Sequence, residues 1–145
     1  MRLARATDGV GITTTTLAGP IAFDAIDSLN FTPAYSYIAE IETSGPTDVY
    51  ISQVTIVPGG HSGWHSHPGP SIVTIISGTA TFYHADDASH TPNVCPAGTG
   101  CVEESGRVHI NRNEGDTDLV AVVMQIVPRG APRRIDEPQP PGYCF

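Results

Sequence analysis

Short runs in which apolar and polar residues alternate recur along this chain, separated by glycine and proline. Side chains that alternate every second residue are the mark of a half-buried strand. Residues 11–18 (GITTTTLA) are rich in β-branched side chains, though weakly apolar. Over 35–42, Tyr35, Tyr37, Ala39 and Ile41 alternate with polar neighbours, Ile38 excepted. Further strands are predicted at 49–57, 71–77, 79–85, 106–112 and 118–127, the last being the most apolar. Gly78 reads as a tight turn or kink between two of them. Other turn signals stand at 68–70 (PGP), 96–100 (PAGTG) and 113–118 (NEGDTD). No segment sustains a 3.6-residue apolar period, and the best helix candidate, 22–29 (AFDAIDSL), is short and carries two aspartates. Seven or so strands at near-regular spacing predict an all-β sandwich or barrel.

Composition narrows this picture. A chain of 145 residues has the length of one domain, 1–145, and its 15 glycines and 13 prolines suit many turns between short elements. The proline-rich tail, 129–145, reads as an extended arm that Ile135, Tyr143 and Phe145 anchor. A net charge of -8 argues against a nucleic-acid or anionic-membrane partner. The absence of lysine excludes a Schiff-base enzyme, pyridoxal phosphate and a P-loop, which all require that amine. The longest apolar run, 119–124, is too short to span a bilayer. The basic start has no apolar stretch behind it, so a cytoplasmic protein is expected, with an exported form that has lost its signal as the alternative. The three cysteines lack CxxC spacing and are expected to be free thiols. In an oxidising compartment Cys95 and Cys144 are the pair that would pin the tail.

The chemistry lies in 58–71 (PGGHSGWHSHPGPS) and one later residue. His65 and His67 stand two apart, so on a strand their imidazoles share a face and can converge on one ion. His109, on a separate predicted strand, can close such a site. His61, in the glycine turn, reads as a rim residue, and His84 and His90 flank an exposed loop. Trp64 should face away from His65 and pack outside the cavity or at a subunit contact. Tyr83 and Met124 suit either the cavity lining or the core.

The spacing Gly59-x5-His65-x-His67-x3-Ser71-x6-Gly78 resembles the first motif of the cupins, with serine where that family has glutamate. Pro96-x-Gly98 and His109-x3-Asn113 resemble the second motif, with ten residues rather than two between Gly98 and His109. The resemblance implies a double-stranded β-helix, or jelly-roll barrel, with a core over about 35–128. It also implies a divalent metal (iron foremost; manganese, nickel or zinc otherwise) held by His65, His67 and His109, a small-molecule substrate and a homodimer.

Ser71 leaves three readings of the site: a three-histidine centre, a substitute ligand from Glu103, Glu104 or Gln53, or loss of metal with retention of the fold. Glu103 and Glu104 fall in the predicted loop before His109, where plain solvation also explains them. Gln53 sits mid-strand. Glu104 and Gln53 are the candidates to act beside the metal, the first orienting a histidine or serving as a base, the second bonding to a ligand or water. Three neutral imidazoles leave a +2 ion uncompensated, which favours an anionic fourth ligand. The expected activity is that of a three-histidine non-haem dioxygenase acting on a bidentate organic anion. The alternatives are a Lewis-acid isomerase or lyase, or a binding module without turnover.

Overall fold

The longest strand, β4 (Thr47–His61), is the seam of the molecule, which the computed structural model describes over residues 5–144. One flank of β4 pairs with β1 (Val10–Phe23) and the other with β11 (Leu119–Pro128), both antiparallel. Beyond β11 follow β6 (Ser71–Ser77) and β9 (Gly100–Glu103), completing one layer. The facing layer runs β12 (Ile135–Asp136), β5 (His65–Ser66), β10 (His109–Arg112), β7 (Thr79–His84) and β8 (Asn93–Pro96). The layers join where His61 at the end of β4 pairs with Arg112. This is the jelly-roll barrel that the resemblance to the cupins implies, within the all-β sandwich or barrel that the strand pattern predicts.

The alternation that marks these strands also builds the core. Along β11, Leu119, Ala121, Val123, Gln125 and Val127 are buried and the residues between them are not. Together with Ile56, Val73, Ile75, Ala80 and Phe82, the side chains of Leu119, Ala121 and Val123 fill the space between the layers. Burial of such side chains contributes about 1.5–3 kcal/mol each. Gly78 turns the chain from β6 in one layer to β7 in the other at φ +71°, where a Cβ would lie 2.7 Å from the Asp118 carbonyl oxygen. Outside the second layer, Trp64, Ile110 and Tyr143 form a second cluster, with Tyr83 packed against it. Trp64 therefore does point away from His65, and its ring meets Tyr143 at 4.6 Å between centroids.

Three expectations need correction. The helix candidate at 22–29 is strand instead, because its first residues end β1 and its last begin β2 (Asp27–Thr32). β2 pairs with β3 (Tyr37–Glu42) in a ribbon of its own, linked by a 3-10 turn at Pro33–Tyr35. The cysteine pair is Cys95–Cys101, joining β8 to β9, while Cys144 is free and exposed. Strands β8 and β9 bring those two residues together across the 96–100 turn, which the spacing alone did not reveal. The tail is more than a surface arm: β12 adds to the edge of β5, and Tyr143 is buried. Ile135 is 41% exposed, and Phe145 lies outside the described residues. No described helix is long and apolar enough to cross a membrane.

Candidate metal centre

His65 on β5 and His109 on β10 are direct cross-strand partners, so their side chains leave the sheet on the same face. His67 follows two residues on, with the same inward direction. The three imidazoles enclose a small volume, their ring centroids 4.4, 4.8 and 5.3 Å apart. All three are at most 5% exposed.

Each ring is oriented by a backbone carbonyl on its Nδ1 side: Gly63 for His65 at 2.9 Å, Arg133 for His67 at 2.7 Å and Arg107 for His109 at 2.9 Å. A carbonyl only accepts, so each Nδ1 carries a proton, and Nε2 is the ring nitrogen turned toward the centre. This is how ligating histidines are commonly held. Gly63 can offer its carbonyl because it adopts φ +71°, and a Cβ there would strike the Thr7 carbonyl at 2.2 Å.

A fourth residue completes the group. Glu103 ends β9, where alternation turns Cys101 and Glu103 inward and leaves Val102 exposed. Its carboxylate lies 3.1 Å from His67 Nε2 and 3.2 Å from His109 Nε2. The ligand atoms of His65, His67, Glu103 and His109 all lie within 4.8 Å of one another, a group that can hold a metal ion. The carboxylate absent at Ser71 thus comes from the neighbouring strand. Of the two glutamates read as loop residues, Glu103 is on a strand and inside. The candidate metal group is therefore three histidines and a glutamate, the arrangement of the substitute-ligand reading with Glu103.

Glu104, one residue on, is turned out to solvent and lies 3.8 Å from Arg107. Gln53 is exposed on the outer face of β4, because its neighbours Ser52 and Val54 take the inward direction. The structure brings neither to the cluster. His61 accepts a hydrogen bond from the Gly63 N–H at 3.1 Å, His90 stacks on Tyr143, and His84, the partner of His109 on β7, keeps its ring 6.2 Å from that of His109 and is not among the four residues of the group. Met124 alternates with the cavity-lining Val123 and so points away from the cavity. Asn113, expected from the second motif, is buried and structural: its amide donates to the carbonyls of Ile56 and Thr117 at 2.7 and 2.8 Å.

Electrostatics fit a cation. Burial, assisted by the neighbouring His109, Arg134 and His67, lowers the His65 pKa to about 3, so this imidazole is neutral and available as a ligand. Burial alone would raise Glu103, but its close contacts with His109 and His67 outweigh that cost and hold the carboxyl well below its ordinary range. His67 is raised, the pull of Glu103 exceeding the cost of burial. His67 Nε2 and His109 Nε2 are buried without a well-formed hydrogen bond. Buried, convergent nitrogens and one carboxylate make a suitable donor set for zinc, iron, manganese or nickel.

The cluster opens onto a cavity of about 300 Å³. One wall is apolar, from Ile12, Val54, Val73, Ala121 and Val123. The polar remainder includes Ser52, Asn111, Gln125, Arg133 and Arg134.

Comparison with known proteins agrees with this fold. The family model described as the cupin domain matches residues 52–125, and the chain belongs to the cupins. A search of curated proteins finds no significant match. Among solved structures, a conserved protein of unknown function from Streptococcus pyogenes is 18% identical, with a TM-score of 0.54 over 82% of this chain and 76% of that one. A cupin superfamily protein from Desulfitobacterium hafniense is 12% identical, with a TM-score of 0.54 over 80% and 77% of the two chains. A DMSP lyase from Ruegeria pomeroyi is 24% identical, with a TM-score of 0.50 over 58% of this chain and 41% of that one. These likenesses show a shared fold.

Proposed function

We propose that this cupin is a metal-dependent enzyme, a non-haem dioxygenase that acts on a small organic anion within the cavity. The observation that carries this reading is the division of labour among the lining residues. Every carboxylate and imidazole on the cavity wall belongs to the candidate metal group, and the other polar residues are hydroxyls, amides and two arginines. Isomerase or lyase chemistry calls for a base free to take a substrate proton. No described lining residue outside the metal group has that capacity, so the chemistry falls to the ion.

Bound iron would supply Lewis acidity and electron exchange with dioxygen. The protein's own residues do the rest. The backbone carbonyls of Gly63, Arg133 and Arg107 fix the three imidazoles. Glu103 cancels one unit of the ion's charge and leaves a net positive centre that still attracts an anion. The aliphatic wall excludes water and packs against an apolar substrate body. Asn111 presents a buried Oδ1 without a hydrogen-bond partner, an acceptor for a hydroxyl or amine of the substrate.

The test combines metal analysis of the purified protein with oxygen uptake by the iron-loaded form on a panel of diketones, thiols, phenols and hydroxy acids. One ion per chain and substrate-dependent uptake, both lost in His65→Ala/His67→Ala, are expected. Stoichiometric metal without uptake would move the reading to a lyase, an isomerase or a binding module. No metal at all would end it. A homodimer is proposed as well, supported by the uncovered apolar face of the β2–β3 ribbon.

A further inference from the structure

The tail that follows β11 does more than cover the barrel, because it carries two arginines to the cavity wall. They are not equivalent. Arg134 places its Nε 2.5 Å from Asp136, so its charge is already answered. Arg133 has no carboxylate within 4.0 Å among the described residues. Its fork is held instead by neutral acceptors on three strands: Gln125 Oε1 on β11 at 2.8 Å from Nε, Thr16 Oγ1 on β1 at 2.9 Å from one terminal nitrogen, and Ser52 Oγ on β4 at 2.5 Å from the other. Its guanidinium also lies over the Tyr50 ring, 4.4 Å from the centroid.

A guanidinium has five N–H donors, and these contacts use three. One N–H on each terminal nitrogen is left, on a side chain locked in place at a cavity wall. That is a preorganised cation without its anion, and a planar fork of this kind matches a carboxylate. The same residue bears on the metal group. Its carbonyl accepts from His67 Nδ1 at 2.7 Å, and Gln125, which takes the Arg133 Nε hydrogen bond, also donates to that carbonyl at 3.3 Å.

We propose that Arg133 is the carboxylate anchor of this cavity, binding a small organic acid whose apolar body lies against the aliphatic wall. The identity of the substrate class rests on the enzyme reading above; the binding site itself does not. The anchor selects acids over the corresponding esters and amides. Through its carbonyl and Gln125, the anchor segment and His67 form one connected unit, so seating of the acid and orientation of a metal ligand depend on the same few bonds.

The experiment is isothermal titration of benzoate, 2-hydroxybutyrate and 3-methylbutanoate, with their amides, against the zinc-loaded and the metal-free protein. Wild type should bind at least one acid tenfold or more tighter than its amide in either form. Arg133→Gln should weaken that acid at least tenfold and leave the amide unchanged, and Arg133→Lys should recover part of the loss. Circular dichroism and melting of each variant report whether the tail is still docked. Equal affinity for acid and amide, or acid binding unaltered in a folded Arg133→Gln, would overturn the anchor. So would an Arg133→Gln that loses acid and amide alike, which is the behaviour of a residue that only ties down the tail. Because the metal-free arm reads the anchor alone, absence of metal would sink the enzyme reading and leave this one standing.

Discussion

Ser71 and Glu103 are direct partners across the antiparallel β6–β9 pair. Opposed residues in such a pair project on one face with Cβ atoms about 4.5–5.5 Å apart. The carboxylate has therefore moved one strand sideways while still reaching the same centre, and Ser71, fully buried, gives it room. Glu103→Gln is expected to lower metal affinity at least tenfold, because the sole anionic ligand is lost. The relocated pair Ser71→Glu/Glu103→Ser should recover much of it, whereas Ser71→Glu alone crowds two carboxylates into one space and destabilises the apoprotein. Competitive chelator titration checks the series; a Glu103→Gln protein that keeps wild-type affinity would show that the carboxylate is not a ligand.

The buried neutral His65 makes the metal-free protein sensitive to acid. Its folded pKa, about 3, lies below the unfolded value of 6.5, so the unfolded chain binds more protons between those limits. Stability must then fall as pH drops through that window, by about 1.4 kcal/mol per unit where only one site differs. His67, raised in the folded state, acts above pH 6.5 with the opposite sign, and Glu103, lowered, adds its own loss below about 4.5. His61 and His84 are also lowered by burial and reinforce the His65 trend. Urea unfolding in the presence of chelator between pH 6.5 and 4.5 should show the decline, and His65→Gln should flatten most of it. An unchanged slope in that variant would mean that His65 is not held neutral.

Much of this was readable from the chain. The alternation over 71–77, 79–85 and 118–127 marks strands that form within a residue or two of those bounds, since burial of one face enforces a period of two. The two histidines at that period, with His109, meet as the pattern implies. Glu103 was harder to recognise. β9 has four residues, two of them Gly100 and Cys101, which is too short for alternation to stand out beside the flanking turns. The inward positions Cys101 and Glu103 were the available signal. The ten-residue extension of the second motif houses this strand and its return to His109. Arg133 lay in a segment whose proline content pointed to an arm, and only the pairing of β12 with β5 brings it to the cavity.

The loop after His67 tolerates no side chain at Gly69. A Cβ there would sit 1.8 Å from the Ile126 carbonyl oxygen, and the Ile126 N–H donates to the Pro70 carbonyl at 3.0 Å, clamping the loop to β11. Gly69→Ala must push β11 and the loop apart, at a cost of about 1–3 kcal/mol for an overpacked site. Since His67 is two residues away, metal retention should fall along with the melting temperature. Gly98→Ala is the control: it sits in an open turn where an added Cβ would meet no atom within 4 Å, although φ +80° makes it mildly strained. Comparable losses in both variants would argue against the clamp.

The β2–β3 ribbon makes a prediction about assembly. Leu29, Phe31 and Ile38 lie on one of its faces, with Phe31 directly opposite Ile38, and they are 65, 59 and 63% exposed. A two-stranded ribbon is marginal in water unless its apolar face is covered. Between Ile21 and Ile41, eight large apolar side chains are more than 40% exposed. Of these, Tyr37 and Ile41 lie on the ribbon's other face and Ile21 and Phe23 on β1, so Leu29, Phe31 and Ile38, at on the order of 100 Å² each, give this face an apolar patch of roughly 300 Å². A second copy is the occupant that this face suits, because a two-fold contact buries the same apolar strip on both chains at once. Light scattering should give twice the 15.3 kDa chain mass, and Leu29→Ser/Phe31→Ser should give monomers with an unaltered circular dichroism spectrum. Wild-type protein that stays monomeric at tens of micromolar would leave the ribbon without that partner.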